Sequence, residues 1–286
     1  AFFYNSSYWG QIEAVPLVFL LIAFYGLLFT DKFLLAAVFF SLTLLTKQTA
    51  IIFTPLFALG YLFRFGVKKS LAGLAAFLIT FFTFFLPFYR AGNLLFFPFA
   101  TYLNKIQTGS GSDLVTDHAF NFWGIVTGFA KISDSRPFWL GISFSAWGYI
   151  IFGILTAIIL FRFFRQRQDP ASFIFAAGLI PFTGFLFLTR MHERYLEQAL
   201  PFLLLLLPFG KKYLASFLFL SLFYWLNLYH NWWAPRIPVL VEVLSNAMVI
   251  NILIAVAILT FFFLLGDYLM RGPSSPTGKK ISSSLQ

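Results

Sequence analysis

The chain has 286 residues, 60% hydrophobic and only 10% charged, with a mean hydropathy of +0.84. A soluble domain is nearer half apolar and a quarter charged, so an excess spread along the whole chain excludes a soluble domain with one anchor and predicts a polytopic membrane protein. The net charge of +10 is better explained by basic loops than by a nucleic-acid partner, and the absence of cysteine excludes disulfides, thiolate metal sites and cysteine nucleophiles in this chain.

The segment before the first apolar run, Ala1–Ser7, has no basic stretch and no small-residue cleavage site. It does not read as a signal peptide, and the chain is expected to be the C-terminal part of a longer protein. Apolar runs then follow at 14–30, 33–45, 49–65, 70–89, 147–164, 171–188, 195–209, 212–228 and 239–265. A full span needs about 20 residues. The runs at 33–45 and 49–65 are short, and with Thr46-Lys47-Gln48 between them they predict a helical pair that reverses at Lys47. The fold expected is all-α: a polytopic transmembrane bundle of about eight or nine helices over 1–271.

The connection 90–146 is predicted to be an extracytoplasmic loop region. It carries a flexible Gly-Ser stretch at 109–112 and a more apolar part with Trp123 and Trp139, whose aromatics suggest interfacial helices. The tail 272–286, rich in Ser, Pro and Lys, is predicted to be a disordered cytoplasmic segment. With the N-terminal segment outside and the runs alternating, the inner loops hold 12 of the 20 basic residues, mostly in short loops. That bias fits the positive-inside rule. The 43 phenylalanines have no functional reading beyond filling a bundle with rings.

Polar clusters interrupt this apolar background at Trp9-Gly10-Gln11-Ile12-Glu13, Thr46-Lys47-Gln48, Asp117–Trp123 and Arg190-Met191-His192-Glu193-Arg194-Tyr195. Charge beside hydrocarbon is costly, so such clusters are rare and usually functional. The alternation puts all four on one side, where they are expected to share a site. Arg190, Glu193, Arg194 and Glu197 fall at helical spacing and would form one charged face. Either they neutralise one another at the mouth of a span, or Arg194 binds an anion and is oriented by Glu193. Lys47 either snorkels to the interface or meets a phosphate, with Gln48 as polar neighbour. Gln11, Glu13, Asn121 and Trp123 offer hydrogen bonds and a stacking plane for a sugar, and His192 a proton shuttle. The ordinary readings are a helix N-terminal acid at Glu13 and aromatic-belt residues at Trp9, Trp232 and Trp233.

Together, Trp-Gly-Gln-x-acid before a span, Thr-Lys-Gln after a short helix, an Asn-x-Trp loop and a later His-Glu-Arg-Tyr resemble the polytopic GT-C glycosyltransferases. Among these they look most like bacterial and archaeal relatives of the GPI-anchor mannosyltransferases. The resemblance runs from Trp9 to about Tyr195 and the closing spans. It implies an inverting sugar transferase in the plasma membrane that takes a sugar, typically mannose, from a polyprenyl-phosphate donor to a lipid or glycan acceptor on the extracytoplasmic side. Lys47 and Arg194 would hold the donor phosphate. Gln11, Glu13, Gln48, Asn121, Trp123, His192 and Glu193 would line the sugar site. The usual catalytic base of that family lies in an earlier loop, which leaves His192 and Glu13 as the candidates here; Glu13 stands where the family more often has Asp. A divalent cation stays open, since Asp113, Asp117, Glu13 and Glu193 offer oxygen ligands without a specific spacing. The alternative reading is a transporter or lipid flippase without transferase activity.

Overall fold

The computed structural model describes residues 1–108, 113–166 and 169–270, without the side chains of 106–108. The expected flexible stretch at 109–112 and the expected disordered tail 272–286 lie outside these residues. The helices are α1 (Ala14–Phe29), α2 (Phe33–Thr46), α3 (Thr54–Phe85), α4 (Phe96–Thr108), α5 (Phe122–Thr127), α6 (Phe144–Arg165), α7 (Pro170–Phe187), α8 (Leu200–Leu205), α9 (Lys211–Trp232), α10 (Pro238–Leu244) and α11 (Ala247–Met270). Short 3-10 helices at Gln48–Phe53, Leu86–Phe88, Glu193–Gln198 and Leu207–Phe209, and a π turn at Tyr4–Tyr8, join them.

The chain reverses where it is expected to. Lys47 leaves α2 in an extended conformation (φ −151°, ψ 119°), and the 3-10 turn at Gln48–Phe53 leads into α3. A second reversal lies inside α3. Gly66 has φ 72° and ψ 172°, a conformation open to glycine and strained for other residues. The arms 54–65 and 67–85 fold back on each other there. A Cβ on Gly73 would lie 2.1 Å from the Tyr61 hydroxyl, whereas 12 residues of straight helix span about 18 Å. Tyr61 also donates to the Phe33 carbonyl (2.7 Å), and Ser41 to that of Phe77 (3.1 Å). Both arms therefore pack along α2.

The described residues are mostly helical, as expected, with one small sheet. Pro137–Trp139 and Ile142–Ser143 form a two-stranded antiparallel hairpin. Its turn residues Leu140 (φ 54°) and Gly141 (φ 74°) are both left-handed, as the tightest hairpins require.

Four stretches are long and apolar enough to cross a membrane: 48–88, which contains the reversal at Gly66, and 144–165, 170–187 and 247–270. α1 and α2 are apolar but shorter. The expected count of eight or nine spans is therefore not reached by length and composition. In 193–209 the backbone breaks into 3-10, α and 3-10 pieces around Pro201 and Pro208. α9 has the length and an apolar middle, but Lys211 and Lys212 at one end and His230 and Asn231 at the other are polar, and it is not among the four. α7 is the central post. Every residue from Phe175 to Phe187 is buried, and α6, α8 and α11 all pack on it.

Because Gly73 leaves room for the Tyr61 ring, Gly73→Val should overpack the hairpin at a cost of about 1–3 kcal/mol. It should lower the thermal unfolding midpoint in detergent. Gly153→Val on α6, where nothing lies within 4 Å of the added carbon, should leave the midpoint unchanged.

Candidate functional site

The four polar clusters meet at one end of the bundle. The first turn of α1 brings in Glu13, which is 4% exposed and makes no cap to its own helix. Its Oε1 accepts from Lys47 Nζ at the reversal after α2. Arg194 Nε lies 2.9 Å from the same oxygen, an ion-pair distance without the alignment of a hydrogen bond. Arg194 Nη1 donates to Glu193 Oε1 at 3.0 Å. One carboxylate thus ties together three segments that are distant in sequence. Burial pushes the Lys47 ammonium below its ordinary value, and the adjacent Glu13 carboxylate opposes that shift.

Tyr195 lies beneath both cations, with its ring centroid 5.1 Å from Lys47 Nζ and 5.4 Å from the Arg194 guanidinium. Such contacts help to hold a cation away from water. His192 approaches from the other side, its Nδ1 3.6 Å from Asp117 and 3.9 Å from Glu193. The cluster keeps unused hydrogen-bonding capacity. Glu13 Oε2, Glu193 Oε2 and Arg194 Nε are all buried without a hydrogen-bond partner. Buried polar atoms are normally satisfied, so the carboxylates of this cluster have acceptor capacity to spare.

An apolar groove of about 340 Å³ adjoins the cluster. Its walls come from α6 (Phe152, Thr156), α7 (Pro181, Phe185) and the segment after Lys47 (Ile51, Ile52). Its polar end is formed by Gln48, Thr49, Arg190, Tyr195 and Gln198, where Gln198 Nε2 donates to the Thr49 hydroxyl at 2.8 Å. Tyr195 belongs both to the groove and to the ionic cluster.

The expected charged ladder at 190–197 does not form. Leu188 to His192 is not helical, and Arg190 has φ 59°. Its guanidinium grips Asp134 through two bonds of 2.8 and 2.9 Å, which holds the Arg190 pKa above its ordinary value. Thr189 donates to the same Asp134 at 2.9 Å. Glu197, further along, accepts from Tyr224 at 2.7 Å and from Asn5. The four charges thus serve three different places, since their backbone is extended and 3-10 rather than α.

Asn121 and Trp123 also depart from the expectation of a sugar-binding pair. Both are fully buried. Asn121 caps α5 by accepting from Gly124 N at 3.1 Å, and Trp123 Nε1 donates to the Phe187 carbonyl at 2.7 Å. Neither shows a surface to a ligand: Trp123 fastens the 113–143 loop to α7, and Asn121 shapes the loop from within. Gln11 lies at the edge, half-buried, two residues before Glu13. Trp9 stacks on Trp232 at 5.6 Å. Among the described residues, no group of three or more His, Asp or Glu could hold a metal ion.

Three residues that pattern reading passes over complete the site. Asp134 is 1% exposed and clamps Arg190. Asn227, within apolar α9, donates to the His118 carbonyl at 2.7 Å and accepts from Phe120 N at 2.9 Å. Tyr224 orients Glu197. Asn227 was the visible signal of the three: an amide inside an apolar helix must find partners.

Removing one partner of a buried pair strands the other charge, at about 3–5 kcal/mol. Glu13→Ala should therefore destabilise by roughly that amount, read from denaturant unfolding in micelles. The double variant Glu13→Gln with Lys47→Met should recover much of the loss. No protein-family model, no curated protein and no solved structure matches this chain.

Proposed function

We propose that this chain is part of a membrane glycosyltransferase acting on a polyprenyl-phosphate-linked sugar, with its site on the extracytoplasmic face. The observation that carries this reading is the junction at Tyr195, where a buried ionic cluster with orphaned carboxylate oxygens meets an apolar groove. A ligand suited to both is amphipathic, with a polar head rich in hydroxyl donors, an anion at its neck and a long apolar tail.

Each part of such a donor has a counterpart. The groove between α6, α7 and Ile51–Ile52 takes the first units of the tail. Lys47 and Arg194, both at the Tyr195 ring, meet the phosphate, a compact point charge beside a forked one. Glu13 and Glu193 hold these cations in place and turn their remaining oxygens to sugar hydroxyls. Gln48 and Gln11 stand at the rim.

In the reaction, the acceptor hydroxyl oxygen forms a bond to the anomeric carbon as the bond from that carbon to the phosphate oxygen breaks. The lipid phosphate leaves with the electron pair, and its charge is stabilised by Lys47 and Arg194. The hydroxyl proton passes to a base. Glu13 Oε1 is occupied by two cations, so His192, beside Asp117, is the better candidate within this chain. The sugar is proposed to be mannose on the strength of the resemblance alone.

The test is sugar transfer by the protein in membranes, with polyprenyl-phosphate-mannose as donor. Lys47→Ala and Arg194→Ala, shown to be folded, should each lower transfer by at least about 100-fold, as expected for losing a group that stabilises transition-state charge. Ile51→Trp, which narrows the groove, should raise KM for long-chain donors more than for short-chain analogues. Full activity in both cation variants would refute the site. No transfer from mannose, glucose or arabinose donors would refute the transferase reading in favour of a transporter.

A further inference from the structure

The opposite end of the bundle carries a second basic feature that the proposed transferase site does not use. α6 starts beside the ionic cluster, with Gly148 against the Phe187 carbonyl and Thr189 N. Its C-terminus, 22 residues on, therefore lies about 33 Å away. There the face formed by Ile158, Phe161, Arg162 and Arg165 meets Leu269, near the end of α11, around a groove of about 470 Å³. Ala157 completes the wall.

The two arginines are unlike ordinary snorkelling residues. Arg162 is half-buried, and its Nε donates to the Tyr268 carbonyl in the last turn of α11 at 3.2 Å. That bond fixes the plane of the guanidinium. Arg165, one turn further on, lies over the exposed Phe161 ring at 5.9 Å. Among the described residues, neither arginine has a carboxylate within 4 Å. The nearby acid, Asp267, is taken by Lys212 and by Tyr213, whose hydroxyl donates at 2.6 Å. Asp169 is spent capping α7. Two uncompensated guanidinium groups therefore stand at the ends of two helices long enough to cross a membrane, above an exposed apolar wall of Ile158, Phe161 and Leu269.

We propose that this groove between α6 and α11 binds an anionic glycerophospholipid of the leaflet at this end. Its phosphate is held by Arg162 and Arg165, and one acyl chain lies along Ile158, Phe161 and Leu269. Charge selects the headgroup: both lipids offer one phosphodiester charge to the two arginines, but a zwitterionic headgroup also brings its own ammonium to them. Forked donors suit phosphate oxygens, and basic pockets between spanning helices are a recurring form of lipid recognition. This inference does not depend on the transferase reading.

The experiment is native mass spectrometry of the full chain released from nanodiscs of mixed phosphatidylglycerol and phosphatidylethanolamine. The wild type should retain phosphatidylglycerol preferentially. Arg162→Gln with Arg165→Gln should lower that retention by about 30-fold, the equivalent of roughly 1 kcal/mol per lost cation. Lys68→Gln with Lys69→Gln, at the α3 reversal, should leave it unchanged. Equal retention of both lipids by the wild type, or undiminished phosphatidylglycerol in the α6 double variant, would overturn the proposal. Thermal unfolding of the α6 variant checks the fold, and Arg162→Lys with Arg165→Lys, which keeps the charge, should restore part of the retention.

Discussion

Glu13, Lys47 and Arg194 share a single carboxylate oxygen, and much of the geometry at this end of the protein follows from that. Each charge is taken from water, which is affordable only when it is paired. The pairing fixes how α1 enters the bundle, where the chain turns after α2, and how the 3-10 segment after His192 lies across both. Move Glu13 and Lys47 loses its carboxylate, while Arg194 keeps only Glu193. The cluster therefore specifies one arrangement of segments that apolar packing alone would leave free to slide.

The two ends of the bundle solve the same problem differently. At the Glu13 end the backbone is irregular, with an extended Lys47, a 3-10 turn after it and a left-handed Arg190. Irregular backbone at such a place is tolerated where it is buried in protein or lines a cavity. Here it does both, beside the groove under Tyr195. At the other end the helices stay regular and are latched by short polar links: Lys212 and Tyr213 to Asp267, and Ser172 to Tyr268. α7, buried along its length, carries the load between the two ends. Polar groups with capacity to spare thus collect at one end, while the polar groups of the other are mostly used in holding helices together.

The loop 113–143 has a structural part that its aromatics disguise. Trp123 and Asn121 look like a ligand-binding pair because both side chains are suited to sugars, yet the same chemistry serves to fasten a loop. The indole N–H finds a carbonyl at the end of α7, and the amide caps a one-turn helix. Asp134 does the complementary work, holding Arg190 and Thr189. The loop then lies against 190–192 through the Asp117 N–H, which donates to the Met191 carbonyl at 3.2 Å. That contact brings the Asp117 carboxylate to His192.

Composition and hydropathy run alone determined that the protein is mostly helical and carries helices apolar enough to cross a membrane, a setting that leaves backbone few alternatives to helix. The sequence also marked Glu13, Lys47, His192, Glu193 and Arg194, because charge among apolar runs is too costly to be incidental. The break after Thr46 was legible for the same reason. Tertiary structure decided the rest. Whether four charges at helical spacing share a face depends on the backbone being α, and here Arg190 leaves that pattern for Asp134. Whether an indole stacks on a ligand or plugs a loop depends on what surrounds it. The second reversal at Gly66 rests on a packing partner, Tyr61 against Gly73, that no local pattern announces. Spacing reports only local geometry, while partners such as Asp134, Asn227 and Tyr224 are set by contacts between segments far apart in the chain.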